Sequence, residues 1–190
     1  MCVLLFDYAP SKLHPDKRNH YKISRRMLLM FQRHGLTVRE GLVALALVLA
    51  VNAVGALPAV FFGADTGWFD RPWFYPPEIL FPIVWTLLFT LLGLALFIVW
   101  RHGTDQRAVR VALATFVVQF ALNLSWTPVF FGLQRADLGL LVIAWLWVAI
   151  VVTIVAFYRV SYIAAALVVP YLGWVSFAFV LNFAIYAAAG

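Results

Sequence analysis

Five long apolar segments constrain what this 190-residue chain can fold into. An α-helix needs about 20 apolar residues to cross roughly 30 Å of hydrocarbon, and each segment reaches that length. No Asp, Glu, Lys, Arg or His lies in their interiors, as lipid demands, because one charge at a helix centre costs about 2.5–3.5 kcal/mol. The approximate bounds of the segments are residues 41–62, 79–100, 108–131, 138–158 and 161–189.

The composition supports lipid as the solvent. Hydrophobic residues make up 65% of the chain and charged residues 12%, against about 45–50% and 25% in soluble domains. The segments do not alternate apolar and polar residues as barrel strands do. We therefore predict an all-α membrane protein, a bundle of five transmembrane helices.

The connections between the segments are short, so consecutive helices are expected to be antiparallel neighbours. Loop one, from Gly63 to Glu78, is the exception. It is rich in proline and aromatic residues, which favours a stiff segment at headgroup level or folded over the bundle. Its aromatic and proline residues are Trp68, Phe69, Pro72, Trp73, Phe74, Tyr75, Pro76 and Pro77.

The basic residues predict the orientation. Arg71 and Arg135 fall in loops one and three, whereas the other twelve of the fourteen Lys and Arg lie on the opposite side of the predicted bundle. Positive charge is retained in the cytoplasm. We expect a multi-pass protein, in a cell membrane, with its N-terminus cytoplasmic and both loop one and the C-terminus outside.

Residues 1–36 form a separate, polar and basic segment. We predict that this tail has no fold and that residues 37–190 form the five-helix domain. Although the net charge is +6, eight basic residues directly precede the first apolar segment, which favours a membrane-surface or topological role. Nucleic acid is not a predicted partner.

Most catalytic chemistry lacks its residues here. The single cysteine, Cys2, allows no intrachain disulfide, and all four histidines lie in polar segments, so histidines cannot hold haem or metal within the membrane. Paired carboxylates, nucleophile motifs and phosphate loops are missing as well. The sequence therefore predicts no metal and no enzyme, and leaves binding or passage of an uncharged or amphipathic molecule.

Polar and aromatic residues recur at helical spacing on three of the predicted helices. Amides are costly in hydrocarbon, so they should point into the bundle. Two interpretations remain open: hydrogen bonds that join helices, or a pocket with tryptophan walls for a flat ligand. For the tryptophans, an interfacial belt explains Trp68, Trp73 and Trp100 well, but it fits those inside the spans less well. The three stripes are Trp85, Phe89 and Gly93; Gln119, Asn123, Trp126 and Phe130; and Tyr171, Trp174, Ala178 and Asn182.

Three ordered blocks make the chain resemble the translocator protein and tryptophan-rich sensory protein family (TspO/MBR). The resemblance covers residues from about 41 to 189. The blocks are Trp68-Phe69-x-x-x-Trp73-x-x-Pro76-Pro77-x-x-x-Phe81-Pro82-x-x-Trp85-Thr86, Gln119-Phe120-Ala121-Leu122-Asn123-x-x-Trp126-x-Pro128-x-Phe130-Phe131, and Pro170-Tyr171-Leu172-x-Trp174 with Leu181-Asn182.

The resemblance implies a receptor that binds porphyrins, sterols and benzodiazepine-type ligands beneath loop one, with no resident cofactor. Trp68, Pro76 and Pro77 would cap the pocket, and Trp85, Asn123, Trp174 and Ala178 would line it. The stripes described above add Trp126 and Tyr171 to the predicted ligand-binding residues. Because Trp85 and Trp174 each follow a helix proline, we expect them to form opposite walls at similar depth.

Two further expectations accompany the resemblance. The small residues Ala121 and Ser125 on helix three, together with the family, suggest a homodimer. The animal cholesterol motif requires a basic residue after the tyrosine of helix five, but only alanines and Gly190 follow Tyr186. Specific recognition of cholesterol is therefore not expected.

Three functions remain open: a sensor or regulator that sequesters tetrapyrroles, a carrier that moves them across the bilayer, and tryptophan-dependent oxidative breakdown of a bound porphyrin. Many transporters contain paired internal repeats. Five spans cannot divide into equal halves, so the sequence favours binding.

The predicted orientation is tested by labelling. In a Cys2→Ser background, a cysteine at Asp70 in loop one should react with an impermeant maleimide on intact cells, because the positive-inside rule places this loop outside. A cysteine at Asp105 in loop two serves as the matched control and should react only after lysis. The reverse pattern would overturn the orientation.

Overall fold

The computed structural model describes residues 37–188, and this range consists of helices and connecting loops, with no β-strand. Five helices are long and apolar enough to span a membrane, which confirms the predicted fold class. The prediction for the tail falls outside the described residues. The helices are α1 Val38–Phe62, α2 Leu80–Trp100, α3 Arg107–Thr127, α4 Ala136–Tyr158 and α5 Tyr162–Ala188.

Helices α2 to α5 form a closed ring. α4 packs against α3 and α5, and α2 packs against the same two helices on the other side. Because lipid tails are as apolar as the side chains, close packing rather than water exclusion holds such helices together. Fully buried aliphatic side chains fill the ring, among them Leu92, Ile150 and Val168.

Helix α1 lies against α2 and is the most exposed of the five helices; only Val51 of its residues is buried. The two helices approach closely because Gly93 of α2 has no side chain: a Cβ there would lie 2.6 Å from the Cα of Val48. One turn away, the Asn52 amide donates to the hydroxyl oxygen of Thr90 at 3.3 Å. This hydrogen bond joins the two helices. It is favourable because an amide without a partner is costly in lipid.

Helix α3 ends in a π-helical turn, Pro128–Gly132. Proline has no N–H to donate, and the wider turn is closed by a hydrogen bond from the Leu133 N–H to the Pro128 carbonyl at 2.9 Å. The predicted third segment, 108–131, therefore consists of an α-helix and a π-turn. Only residues 133–135 separate this turn from α4.

The contact between α1 and α2 yields a stability prediction. In Gly93→Ala the new methyl group meets the backbone of Val48, which cannot move without shifting α1, so we expect a loss of about 1–3 kcal/mol. Gly173→Ala on α5 is the control, because nothing lies within 4 Å of its new Cβ. Denaturation in mixed micelles measures both variants; equal stabilities would show that α1 adjusts freely.

Candidate functional site

Loop one folds back over one end of the bundle and forms an aromatic cap, which we define as Trp68, Phe69, Phe74 and Tyr75. These side chains pack against a buried cluster formed by Phe130 of the π-turn with Ala136, Leu181 and Ile185. The Trp68 and Phe69 ring centroids lie 5.0 and 5.6 Å from that of Phe130. Tilted and edge-to-face pairs of this kind add about 0.5–1.5 kcal/mol each beyond simple burial.

Arg71 contacts this cap from its solvent-exposed side. Its guanidinium donates to Glu78 Oε1 at 2.6 Å and to the hydroxyl of Thr66, and it lies 5.3 Å from the centroid of the Tyr75 ring. Burial raises the pKa of the Tyr75 phenol above its usual value, an effect that the nearby arginine partly opposes. The phenol is therefore neutral at physiological pH.

Two aromatic layers lie between α2 and α5 below the cap. Phe81 and Trp174 form the first, with centroids 5.9 Å apart. Trp85 and Tyr171 form the second, with centroids 6.1 Å apart and ring planes at 63°. Trp85 and Trp174 thus belong to successive layers on adjacent helices, so their depths match only approximately; that they form opposite walls of a ligand site stays a prediction. The offset follows from how α2 and α5 pack along each other, which pairs Phe81 with Trp174 and Trp85 with Tyr171.

The second aromatic layer carries a buried hydrogen bond between helices. Asn123 of α3 donates from Nδ2 to the Tyr171 hydroxyl at 2.9 Å. Tyr171 is fully buried and Asn123 nearly so. Because the hydroxyl oxygen accepts this bond, its own hydrogen is free to donate to a further group.

A second buried amide joins three helices at the capped end. Asn182 of α5 accepts a hydrogen bond from Trp126 Nε1 at 3.1 Å and donates to the Ala136 carbonyl at 3.0 Å. Gly139 makes room for it, since a Cβ there would lie 3.1 Å from Asn182 Oδ1. The Trp126 ring stacks on Phe130 with centroids 4.8 Å apart.

Two further polar side chains have buried atoms without a hydrogen-bond partner in the described part of the chain. Within residues 37–188, the indole nitrogen of Trp68 and both polar atoms of the Gln119 amide are buried without a hydrogen bond. A buried polar group without a partner costs free energy, and each such case in a protein requires an explanation. Bound ligand atoms or water molecules are the usual partners at such positions.

The structure brings most of the predicted site residues together. Trp85, Tyr171 and Trp174 lie in the two aromatic layers. Asn123 bonds to Tyr171, and Trp126 bonds to Asn182. Ala178 packs, half-buried, against the main core. In loop one, Trp68 packs inward rather than in an interfacial belt, whereas Trp73 is 95% exposed.

The two prolines of loop one differ in their surroundings. Pro76 is half-buried, and Pro77 is exposed. The Pro77 carbonyl accepts a hydrogen bond from the Leu80 N–H at 2.9 Å, at the first residue of α2. Pro77 therefore contributes to the start of α2 rather than to a buried wall.

The predicted site omitted three residues that the structure places in or beside it. Phe81 was noted only in a sequence block, and Gln119 and Asn182 only in the stripes and blocks quoted above. Their helical spacing from Trp85, Ala178 and Asn123 was the available signal.

The described part of the chain also has a surface concavity away from the predicted site residues. It is an apolar groove of about 330 Å³ between α3 and α4, and it contains none of the predicted site residues. Its lining is Ala114, Thr115, Val118, Leu122, Trp145, Val148, Ala149 and Val152.

These features define a class: a five-helix membrane protein with an aromatic cap over an interior, polar and tryptophan-rich site. The sequence model of the TspO/MBR family matches residues 44–187. The chain belongs to the TspO/MBR family.

Relatives include proteins from bacteria, archaea and animals. Tryptophan-rich protein TspO of Chlorobaculum tepidum is 44% identical over 70% of this chain and 87% of its own length. A protein of the same name from Archaeoglobus fulgidus is 44% identical over 74% and 93%. The translocator protein of Homo sapiens is 34% identical over 62% and 70%. None of these three names denotes an enzyme.

The network around Asn182 yields a test. Asn182→Leu removes the acceptor of the Trp126 indole and the donor to the Ala136 carbonyl, and should destabilise the bundle by about 0.6–1.7 kcal/mol. Ser125→Ala is the control, since the Ser125 hydroxyl donates only within its own helix, to the Leu122 carbonyl. Denaturation in mixed micelles compares the variants; an unchanged Asn182→Leu would mean that lipid or water replaces both bonds.

Proposed function

We propose that this protein binds porphyrins and other flat hydrophobic molecules, such as sterol-like ligands, beneath its aromatic cap. It acts in this proposal as a membrane sensor or regulator, without a resident cofactor and without enzymatic turnover. The observation that carries the proposal is the pair of aromatic layers between α2 and α5, joined to α3 by the hydrogen bond between Asn123 and Tyr171.

Aromatic surfaces favour a planar ligand for a physical reason. Each ring contact with a flat aromatic molecule adds about 0.5–1.5 kcal/mol beyond simple burial. The indole of Trp85, half-buried between Phe89 and Tyr171, is one such surface, and that of Trp174 is another. The unpartnered indole nitrogen of Trp68 supports the same site, because it offers a buried, unused donor in the cap itself.

Charge supports one orientation of a porphyrin in this site. Its propionates are anionic and cannot be buried in the apolar centre of the bundle at acceptable cost. The capped end offers access to water and the half-exposed guanidinium of Arg71, which also pairs with Glu78, whereas the vinyl-bearing edge is apolar and suits the interior. In this proposal the propionates lie near loop one and the apolar edge points down the bundle.

Replacement of the two tryptophans tests the site. We expect Trp85→Ala and Trp174→Ala each to weaken protoporphyrin binding by about tenfold or more, which corresponds to about 1.4 kcal/mol. Asn123→Leu should weaken it less, because it removes one hydrogen bond worth about 0.5–1.5 kcal/mol. Titration of the purified protein in nanodiscs, followed by porphyrin absorbance, measures the affinities, with helicity checked for each variant.

The groove between α3 and α4 supplies the control. Trp145 lines that groove and is 60% exposed, so Trp145→Ala should bind porphyrin as the wild type does. Weaker binding in Trp145→Ala, with normal binding in the Trp85 and Trp174 variants, would move the ligand to the groove and contradict the proposed site.

Transport and oxidative breakdown are the alternative functions. Proteoliposomes that hold the protein in one orientation distinguish them from sensing in a single experiment: binding, porphyrin flux and chemical conversion are measured on the same sample. The proposal expects binding with flux and conversion at the level of empty liposomes. Protein-dependent flux would indicate a carrier, and a new absorbance spectrum would indicate breakdown.

We also propose a homodimer in a cell membrane, with the cap outside the cytoplasm. Ala121 is exposed on α3, as close approach of a second copy requires, and Ser125 is half-buried one turn away. Small residues at this spacing allow helix backbones to meet. The charge asymmetry of the loops supports the orientation.

A further inference from the structure

Gln119 is the least explained residue of the bundle. Its side chain is fully buried in α3, and among the described residues neither its Oε1 nor its Nε2 has a hydrogen-bond partner. The other two amides buried in the ring, Asn123 and Asn182, are both bonded to neighbouring helices. In a membrane interior an unpaired amide is especially costly, because no bulk water can replace the missing partner.

The position of Gln119 relates it to the site. It precedes Asn123 by four residues on the same helical face, which places its backbone about 6 Å farther from the capped end. Phe116 and Phe120 flank it in the sequence, and their rings stack with centroids 5.6 Å apart. Gln119 is thus the deepest hydrogen-bonding side chain on the α3 stripe that also carries Asn123 and Trp126.

We propose that Gln119 determines ligand specificity at the deep end of the proposed site by binding a neutral hydroxyl group. A hydroxyl both accepts and donates, so one hydroxyl satisfies Nε2 and Oε1 together. An anionic carboxylate fits poorly, because the helix interiors hold no cation to neutralise it. This inference rests on the proposed function, whose porphyrin orientation directs the apolar edge of the ligand toward Gln119.

Two porphyrins provide a matched pair for the test. Protoporphyrin carries vinyl groups where haematoporphyrin carries hydroxyethyl groups, and the propionates are the same. The measured quantity is the hydroxyl preference, defined as the Kd of protoporphyrin divided by the Kd of haematoporphyrin. Because the same two ligands and the same nanodiscs are used for every variant, differences in partitioning into lipid cancel when variants are compared.

In Gln119→Met, which keeps the length of the side chain and removes its polar atoms, the hydroxyl preference should fall about fivefold relative to wild type, as the loss of one net hydrogen bond predicts. Gln119→Leu repeats the test with a different shape. Thr153→Val is the control: Thr153 is equally buried, but its hydroxyl already donates to the Ala149 carbonyl at 2.8 Å, so the preference should not change.

The outcomes separate the two proposals. If the wild type binds both porphyrins and folded Gln119 variants keep its hydroxyl preference, the specificity role is wrong and the proposed function stands. If Thr153→Val lowers the preference as much as Gln119→Met, the effect reflects core packing and the role is again wrong. If the wild type binds neither porphyrin, both proposals fail.

Discussion

The pairing of polar groups inside hydrocarbon is the constraint on which the rest of this structure depends. Lipid offers no hydrogen bonds, so buried amides, indoles and hydroxyls are stabilised by hydrogen-bond partners within the protein. Here these partners lie on different helices: Asn123 bonds to Tyr171, and Asn182 joins Trp126 to the first residue of α4. The directional bonds fix how α3, α4 and α5 are rotated about their axes, which the uniform apolar packing alone does not.

The aromatic residues perform a second task, because they connect a loop to the bundle. Phe130 contacts Trp68 and Phe69 of loop one and Trp126 of α3. The same side chain therefore contacts both the cap and Trp126, which belongs to the Asn182 hydrogen-bond network. Displacement of loop one would expose Phe130 and remove two of its ring contacts, so closure of the cap and order in the site are energetically linked.

The sequence predicted the number and the approximate bounds of the helices, because an apolar segment of about 20 residues without charges indicates a transmembrane α-helix. It also indicated that Gln119, Asn123 and Asn182 face inward, which their burial confirms. It did not predict which side chains form hydrogen bonds or ring contacts with one another. The relative depth of Trp85 and Trp174 depends on how far α2 and α5 slide past each other, and no pattern within a single helix contains that information. The π-turn was missed for a similar reason: Pro128 indicates a disturbance of α3, but neighbouring packing decides its form.

The π-turn has a consequence for how α3 tolerates changes in length. Each residue of an α-helix advances the direction of its side chain by about 100°, and a π-turn accommodates one residue more than an α-turn of the same span. Deletion of a single residue from Pro128–Gly132 would let regular helix continue, but it would rotate the start of the connection to α4 by that angle and carry Phe130 away from Trp68. Elsewhere in the apolar spans, lipid accepts many substitutions of one aliphatic side chain for another. At this turn the number of residues, more than their identity, sets the geometry.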